Sequence, residues 1–380
     1  MNRLLLIVGA RPNYMKAASL LQAAPAHGLE LVLVHTGQHY DPELSSLIMD
    51  ELGMPEPRWK LDVGRGRSGL GQLAAMLEAL PPVVEQERPE GVVVVGDVTS
   101  TLAGALVAAR AQARPLPLVH VEAGLRSFDR TMPEETNRLL TDQLADLLLC
   151  TEASGLVNLR REGKDPGAVL LVGNTMIDTL LRLRPRARAL DAPARFGVAA
   201  GGFGLVTLHR PSNVDDPARL RAILGALGEV ARELPLLFPV HPRTRARLAG
   251  EQVPAGVTLG DPLGYLPFLG LLEAARLVLT DSGGVQEETT ALGVPCLTLR
   301  ENTERPITIS AGTNRLVGSD PRAIVAHARE ALTQRAVAPP SPPLWDGRAG
   351  ERIAAAVAGL LAGGPQEAAR RAVEAGARTA

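Results

Sequence analysis

Carboxylates and arginines gather at places where a chain of alternating strands and helices would hold them at sheet ends. The apolar run VVVV (92–95) passes through Gly96 to Asp97, and LVHV (118–121) ends at Glu122. The next loop brings Glu134 and Glu135, with Arg126, Arg130 and Arg138 interleaved. In an open parallel sheet the ligand crevice lies beyond the carboxyl ends of the strands, so acids placed there face a substrate rather than a core. Carboxylates flanked by cations in such a place suit general acid–base work. A local reading stands beside this one: Asp97 before Thr99, Ser100 and Thr101 also fits the cap of the next helix.

A second constellation suits an anion. In RLVLTDSGGVQEE (276–288) a strand delivers Asp281 and Ser282, Gly283 and Gly284 let the backbone approach a ligand, and a helix follows. Backbone amides and the helix dipole then form a phosphate cradle, although an N-cap with a tight turn would read the same way. Glu287 or Glu288, one turn in, is placed for ribose hydroxyls, and Arg305 after the next strand could clamp a diphosphate. Arg11 and Lys16 add cations at the start of another helix, after a turn (9–13) that is not GxGxxG. His35, His120, His209 and His241 all end strands. A lone histidine is more often structural, but four in equivalent places point to at least one with a role.

Holding these side chains in place takes two sheets. Strands at 3–8, 30–35, 92–95, 118–121, 145–150 and 168–175 alternate with helices, the pattern of a doubly wound unit. The second strand exits into TGQHYDP with Gln38, His39 and Asp41, and VGRGRSGLG (63–71) reads as a mobile loop whose Arg65 and Arg67 could fold over an anion. Residues 181–197 read as a helix end and linker, after which a second alternation runs through GFGLVTLHRPSN, LPLLFPVHP, VTLGD, RLVLTDSGG and VPCLTLRENTERP. The expected fold is α/β, two Rossmann-like doubly wound domains facing a cleft in the manner of glycosyltransferase B enzymes. Domains are expected at 1–172 and 173–346, with a helix at 347–362 packing back on the first and a tail at 363–380 of no essential role.

Composition narrows the partners. A chain of 380 residues exceeds one ordinary core, and 46% hydrophobic with 21% charged residues describes a soluble globular protein. A formal net charge of -1 removes the footprint of a nucleic-acid binder. Cys150 and Cys296 sit in apolar strands without a second cysteine at metal-ligand spacing. RLLLIVGARP is too short for a signal peptide and no run reaches membrane length, so a cytoplasmic protein without an anchor is expected.

GARPNYMKAA, TGQHYD, VVGDVTSTLA, HVEAGLRSFDRTMPEETNR, VGNTMIDT, TLHRPSNVDD, YLPFLGLL, LTDSGGVQEETTALG and RENTERPITISAGTNRLVG together resemble the non-hydrolysing UDP-N-acetylglucosamine 2-epimerases, in order from about residue 5 to 320. The resemblance implies interconversion of UDP-GlcNAc and UDP-ManNAc for cell-surface polysaccharide, by a homodimer without cofactor or metal. By motif it implies Asp97, Glu122 and Glu134 as catalytic acids with His209 beside them. Arg11, Lys16, Ser282, Gly283, Gly284, Glu288 and Arg305 would hold UDP, with Phe268 near the uracil. Some members are activated by their own substrate, and Gln38, His39, Arg67, Arg210 and His241 match that site, although Asp41 would repel a second diphosphate. Where the family often reads HRREN this chain has HRPSN, and Leu263 replaces a side chain that is polar in some members.

The residues agree with that chemistry. No carbonyl adjoins C2 of UDP-GlcNAc, so inversion there needs transient oxidation or loss of UDP, and the missing dinucleotide fingerprint argues against oxidation. Elimination needs a carboxylate base and donors for the departing diphosphate. A glycosyltransferase with the same nucleotide site, or a UDP-sugar sensor without turnover, remains the alternative, and the acid cluster is what separates them.

Overall fold

The computed structural model describes every residue except 39–41, 65, 68, 112–114, 241, 334–340 and 380, and of 42–44 and 242–243 the backbone alone. The chain divides into unit 1 (Met1–Thr179 with Pro343–Ala380) and unit 2 (Leu180–Pro342). The first crossing lies seven residues beyond the sequence expectation, inside a helix rather than at a linker.

Unit 1 begins β1 (Asn2–Val8), α1 (Arg11–Ala23), β2 (Leu29–His35), α2 (Pro42–Leu52), β3 (Trp59–Lys60) and α3 (Leu70–Glu87). It continues β4 (Gly91–Val95), α4 (Thr99–Ala109), β5 (Leu118–Val121), α5 (Pro133–Leu144), β6 (Leu147–Cys150), α6 (Ala153–Arg161) and β7 (Val169–Leu171), and enters α7 (Thr175–Ala189). Unit 2 holds α8 (Ala192–Arg195), β8 (Gly204–Thr207), α9 (Pro211–Val214), α10 (Pro217–Ala231), β9 (Leu236–Pro239), α11 (Pro242–Leu248) and β10 (Val257–Gly260). It ends with α12 (Tyr265–Ala274), β11 (Leu277–Thr280), α13 (Gly283–Leu292), β12 (Cys296–Thr298), α14 (Ile307–Ser310), β13 (Asn314–Leu316) and α15 (Pro321–Thr333). The chain then returns to unit 1 as α16 (Ala349–Glu374) and β14 (Arg378–Thr379).

The sheet of unit 1 runs β3-β2-β1-β4-β5-β6-β7, parallel throughout, with β14 antiparallel at the β7 edge. That of unit 2 runs β10-β9-β8-β11-β12-β13, also parallel. Central strands of such sheets are covered on both faces, which is why 4–8 and 92–95 are unbroken buried apolar runs. In both sheets the strand order reverses once, between β1 and β4 and between β8 and β11. Diverging loops at a reversal open a crevice, so each unit has one predetermined ligand position.

Two segments differ from expectation. The Arg-rich stretch from 181 continues α7 to Ala189 in spite of Pro185, because Arg184 and Arg188 both find Glu273 and Leu183 and Ala187 are buried. The tail is not idle: α16 kinks at Gly363 and Gly364, runs on to Glu374, and β14 pairs with Leu170 and Leu171. The start of α16 is fixed by Asp178, which accepts from the amides of Ala349 (3.1 Å) and Gly350 (2.7 Å), and by Arg352 on the carbonyl of Val172 (3.2 Å). Its buried Ile353, Val357 and Leu360 each contribute roughly 1.5–3 kcal/mol of apolar burial.

Candidate active site

At the reversal of unit 1 the loop after β1 is tied to β4 by one amide. Asn13 Oδ1 accepts from the backbone amides of Gly9 and Ala10, both at 3.1 Å, and its Nδ2 donates to the carbonyl of Val95 (3.0 Å). One turn along α1, the Lys16 ammonium forms a buried ion pair with the carboxylate of Glu122 at the end of β5. Lys16, expected from the sequence near a phosphate, here neutralises a buried acid. Gly96 makes room for the pair: its φ is +68°, and a Cβ there would lie 2.9 Å from Lys16 Nζ and 3.1 Å from Glu122 Oε2. Glu122 itself has φ +73°, a left-handed backbone that is strained for a residue with a side chain and clusters at functional sites.

Asp97 is not a helix cap. The N-cap of α4 is Val98, and the amide of Ser100 is satisfied by Gln38 Oε1 (3.0 Å). The Asp97 carboxylate pairs with buried Arg138 of α5, while Asn137 Nδ2 donates to its carbonyl (2.8 Å). Arg138 also meets Glu135 (2.9 Å), and Glu135 accepts from the amides of Ser127 (2.9 Å) and Phe128 (3.0 Å). Glu135 is therefore spent on closing the loop. Glu134, beside it in the first turn of α5, is half-buried. Three acid-bearing segments thus converge on the carboxyl ends of β4 and β5. His120, expected among strand-end candidates, is wholly buried against Asp142 (2.6 Å) and the Gly96 carbonyl (2.8 Å).

At the reversal of unit 2 the corresponding tie is a carboxylate. Buried Asp281, after β11, accepts from the amides of His209 (3.1 Å) and Arg210 (3.0 Å) and from Asn213 Nδ2 (3.2 Å). It also meets His209 Nδ1 at 3.0 Å, which orients an imidazole that is 42% exposed. Burial alone would raise the Asp281 carboxyl; the His209 contacts, the Arg210 amide and Asn213 hold it below its ordinary value.

Ser282 takes the N-cap place of α13 but its hydroxyl makes no capping bond, and a Cβ at Gly283 would lie 2.8 Å from Arg305 Nη1, so glycine lets the guanidinium come close. The Arg305 guanidinium thus lies over the helix N-terminus, paired with Glu287 (3.0 Å) and near Glu304 (3.8 Å). Glu304 further holds Arg300 (2.8 Å) and Arg210 (3.3 Å). Three guanidiniums thus gather beside a helix N-terminus, the setting for an anion. Glu288, next on α13, accepts from Tyr265 (2.9 Å). Burial and the Glu287 charge push its pKa up to about 7, against the Tyr265 bond. Phe268 is half-buried in the cluster of Phe203, Leu271 and Val285.

Of the remaining expected residues, Arg11 opens α1 and is half-buried, and Arg67 is exposed. Gln38 serves as the cap of α4 just described. His39, His241, Asp41 and Arg65 lie outside the described residues. Sequence reasoning passed over Asn13 and Glu304. For Glu304 a signal existed, since Arg300 and Arg305 flank it at helical and adjacent spacing; Asn13 in a Pro-Asn turn gave none. Among the described residues no group of three or more His, Cys, Asp or Glu could hold a metal ion, and no helix is long and apolar enough to cross a membrane.

The chain is similar to known proteins along most of its length. The family model described as UDP-N-acetylglucosamine 2-epimerase matches residues 22–358. A UDP-2,3-diacetamido-2,3-dideoxy-D-glucuronate 2-epimerase of Pseudomonas aeruginosa is 42% identical, over 87% of this chain and 92% of its own. A UDP-N-acetylglucosamine 2-epimerase of Methanocaldococcus jannaschii is 38% identical, over 92% and 97%. A crystal structure of the M. jannaschii enzyme in complex with UDP-GlcNAc and UDP superposes with a TM-score of 0.85, at 38% identity over 92% of this chain and 98% of that one. With two reversed parallel sheets, acids at one reversal and a glycine turn with arginines at the other, and similarity along nearly the whole length, the chain belongs to the UDP-N-acetylglucosamine 2-epimerase family.

Proposed function

We propose that the protein interconverts UDP-N-acetylglucosamine and UDP-N-acetylmannosamine by eliminating UDP and adding it back. The observation that carries this reading is the trio of acid-bearing segments, with Asp97 and Glu122 each against a cation and Glu122 on strained backbone. A nucleotide-sugar sensor has no use for them. A base removes the C2 proton, the C–H electrons form a C1–C2 double bond, and the C1–O pair leaves with UDP as 2-acetamidoglucal forms. A proton delivered to the other face of C2 and return of the UDP oxygen to C1 give the epimer. Asp97, Glu122 and Glu134 are the acids and bases of these steps, with His209 assisting. The amides at Ser282, Gly283 and Gly284 and the Arg305 guanidinium take the diphosphate and stabilise it as it leaves, with Arg11 as a further cation. Glu288 receives ribose hydroxyls and Phe268 lies by the uracil. In this reading a cytoplasmic homodimer supplies N-acetylmannosamine for cell-surface polysaccharide.

A second substrate is favoured by the 42% identical P. aeruginosa relative, whose sugar carries a further acetamido group and a carboxylate. The same elimination serves both, since the groups at C1 and C2 are alike. Presenting each UDP-sugar separately and following the product by NMR decides between them. UDP-GlcNAc labelled with 18O in the C1–O–P bridge tests the bond broken: recovered substrate should show label moved to non-bridging oxygen, and label that stays in place while epimer forms would exclude elimination.

A further inference from the structure

One buried pair touches all three segments that carry the acids. His120, on β5, directs Nδ1 at Asp142 Oδ1 (2.6 Å) and Nε2 at the carbonyl oxygen of Gly96 (2.8 Å). Gly96 immediately precedes Asp97, and His120 stands two residues before Glu122. Asp142 belongs to α5, whose first turn holds Glu134. Its second oxygen accepts from the Gly124 amide (3.1 Å) and meets Arg126 Nη2 (2.7 Å). Arg126 is fixed in turn by two bonds to Glu162 (2.8 and 2.7 Å).

Every member is used, and each ring nitrogen of His120 faces an oxygen atom, so neither is left without a partner in the interior. Burial would raise the Asp142 carboxyl, but the His120 and Arg126 contacts bring it below its ordinary value. Such buried ionic networks contribute little net stability compared with apolar side chains of the same volume. What they supply is fixed geometry, here along the directions that the acids need.

We infer that His120 and Asp142 are positioning residues for the proposed epimerisation: through the Gly96 carbonyl, β5 and α5 they hold Asp97, Glu122 and Glu134 in one frame. The inference rests on the epimerase reading above. Neither side chain touches substrate; a displacement of the acids by about 1 Å is enough to slow chemistry on the order of a hundredfold.

The test uses His120→Gln and Asp142→Asn in the full-length protein, with turnover expressed per UDP-binding site so that unfolded molecules do not count. Glu87→Gln is the control, since Glu87 is a buried carboxylate of the same unit bonded to Trp59 (2.8 Å) and paired with Arg58 (2.8 Å), in the segments around β3 and the end of α3. Both test variants should lose at least about thirtyfold in kcat with KM changed less than about threefold. The isotope effect from substrate deuterated at C2 should rise, because proton abstraction becomes slower than the other steps. If His120→Gln does not fold, Asp142→Asn, which keeps the side-chain size, carries the same readouts. A loss no greater than that of Glu87→Gln, or a larger one with the isotope effect unchanged, overturns the inference. Wild-type protein that epimerises neither UDP-sugar overturns instead the reading on which it rests.

Discussion

The two reversals of strand order solve one geometric problem with opposite charges. In unit 1 the loops are tied by a neutral amide, Asn13, which leaves the acids of the neighbouring strand ends to be balanced one by one, Glu122 by Lys16 and Asp97 by Arg138. In unit 2 the tie is an anion, Asp281, and the guanidiniums of Arg210, Arg300 and Arg305 crowd around Glu304 and Glu287. A fixed pair holds a carboxylate in one orientation, which suits proton transfer. A shared cluster can turn part of its donor capacity to an arriving anion, which suits binding. In the proposed function the same topology would thus serve chemistry in one unit and a nucleotide in the other.

The largest effect should come from the first region. Asp97→Asn or Glu122→Gln should lower kcat by a factor of about a hundred or more while UDP affinity, read by calorimetry, stays within about threefold. Loss of UDP binding instead would merge the two regions into one. Arg305→Ala sharpens the other side: UDP affinity should fall roughly 10- to 100-fold, the worth of a charge-assisted bond of about 1.5–3 kcal/mol.

Smaller effects concern titration. Glu288 has a folded pKa of about 7, above its ordinary 4.5, so its protonated form is favoured in the fold. Its stabilising contribution is present below pH 4.5 and is lost as pH rises through about 7. Ribose hydroxyls prefer the ionised acceptor, so UDP should bind a few-fold tighter at pH 8 than at pH 6, and Glu288→Gln should flatten that dependence. Asp178 titrates at about 6 because of burial, opposed by the Gly350 and Ala349 amides. The sign is the same: stability from this group is greatest below pH 3.8 and falls as pH rises through about 6. Melting curves of wild type and Asp178→Asn should diverge between pH 5 and 7 by on the order of 1 kcal/mol, with activity unaffected.

Much of this was legible in sequence for physical reasons. Buried parallel strands must be apolar runs, and the residue after each run stands at the ligand edge, so Asp97, Glu122, Asp281 and Ser282 could be placed from pattern alone. Pairing between distant segments could not. Lys16 and Glu122 meet across 106 positions, and nothing local in either turn announces it. The same holds for Asp281 with His209 and Asn213, and for Asp178 at the start of α16. Arg- and Ala-rich segments misled because their short apolar faces are narrow: 181–189 and 365–374 are helical through tertiary contacts that propensity does not carry.

The central claim is that the acids of unit 1 exchange a proton at C2 while UDP departs. Incubation of the wild-type protein with UDP-GlcNAc in heavy water, with no sugar acceptor and no nicotinamide added, tests it most directly. Deuterium should appear at C2 in both the product UDP-ManNAc and the recovered UDP-GlcNAc. Epimer formed without deuterium, or substrate left unchanged and unlabelled, would contradict it.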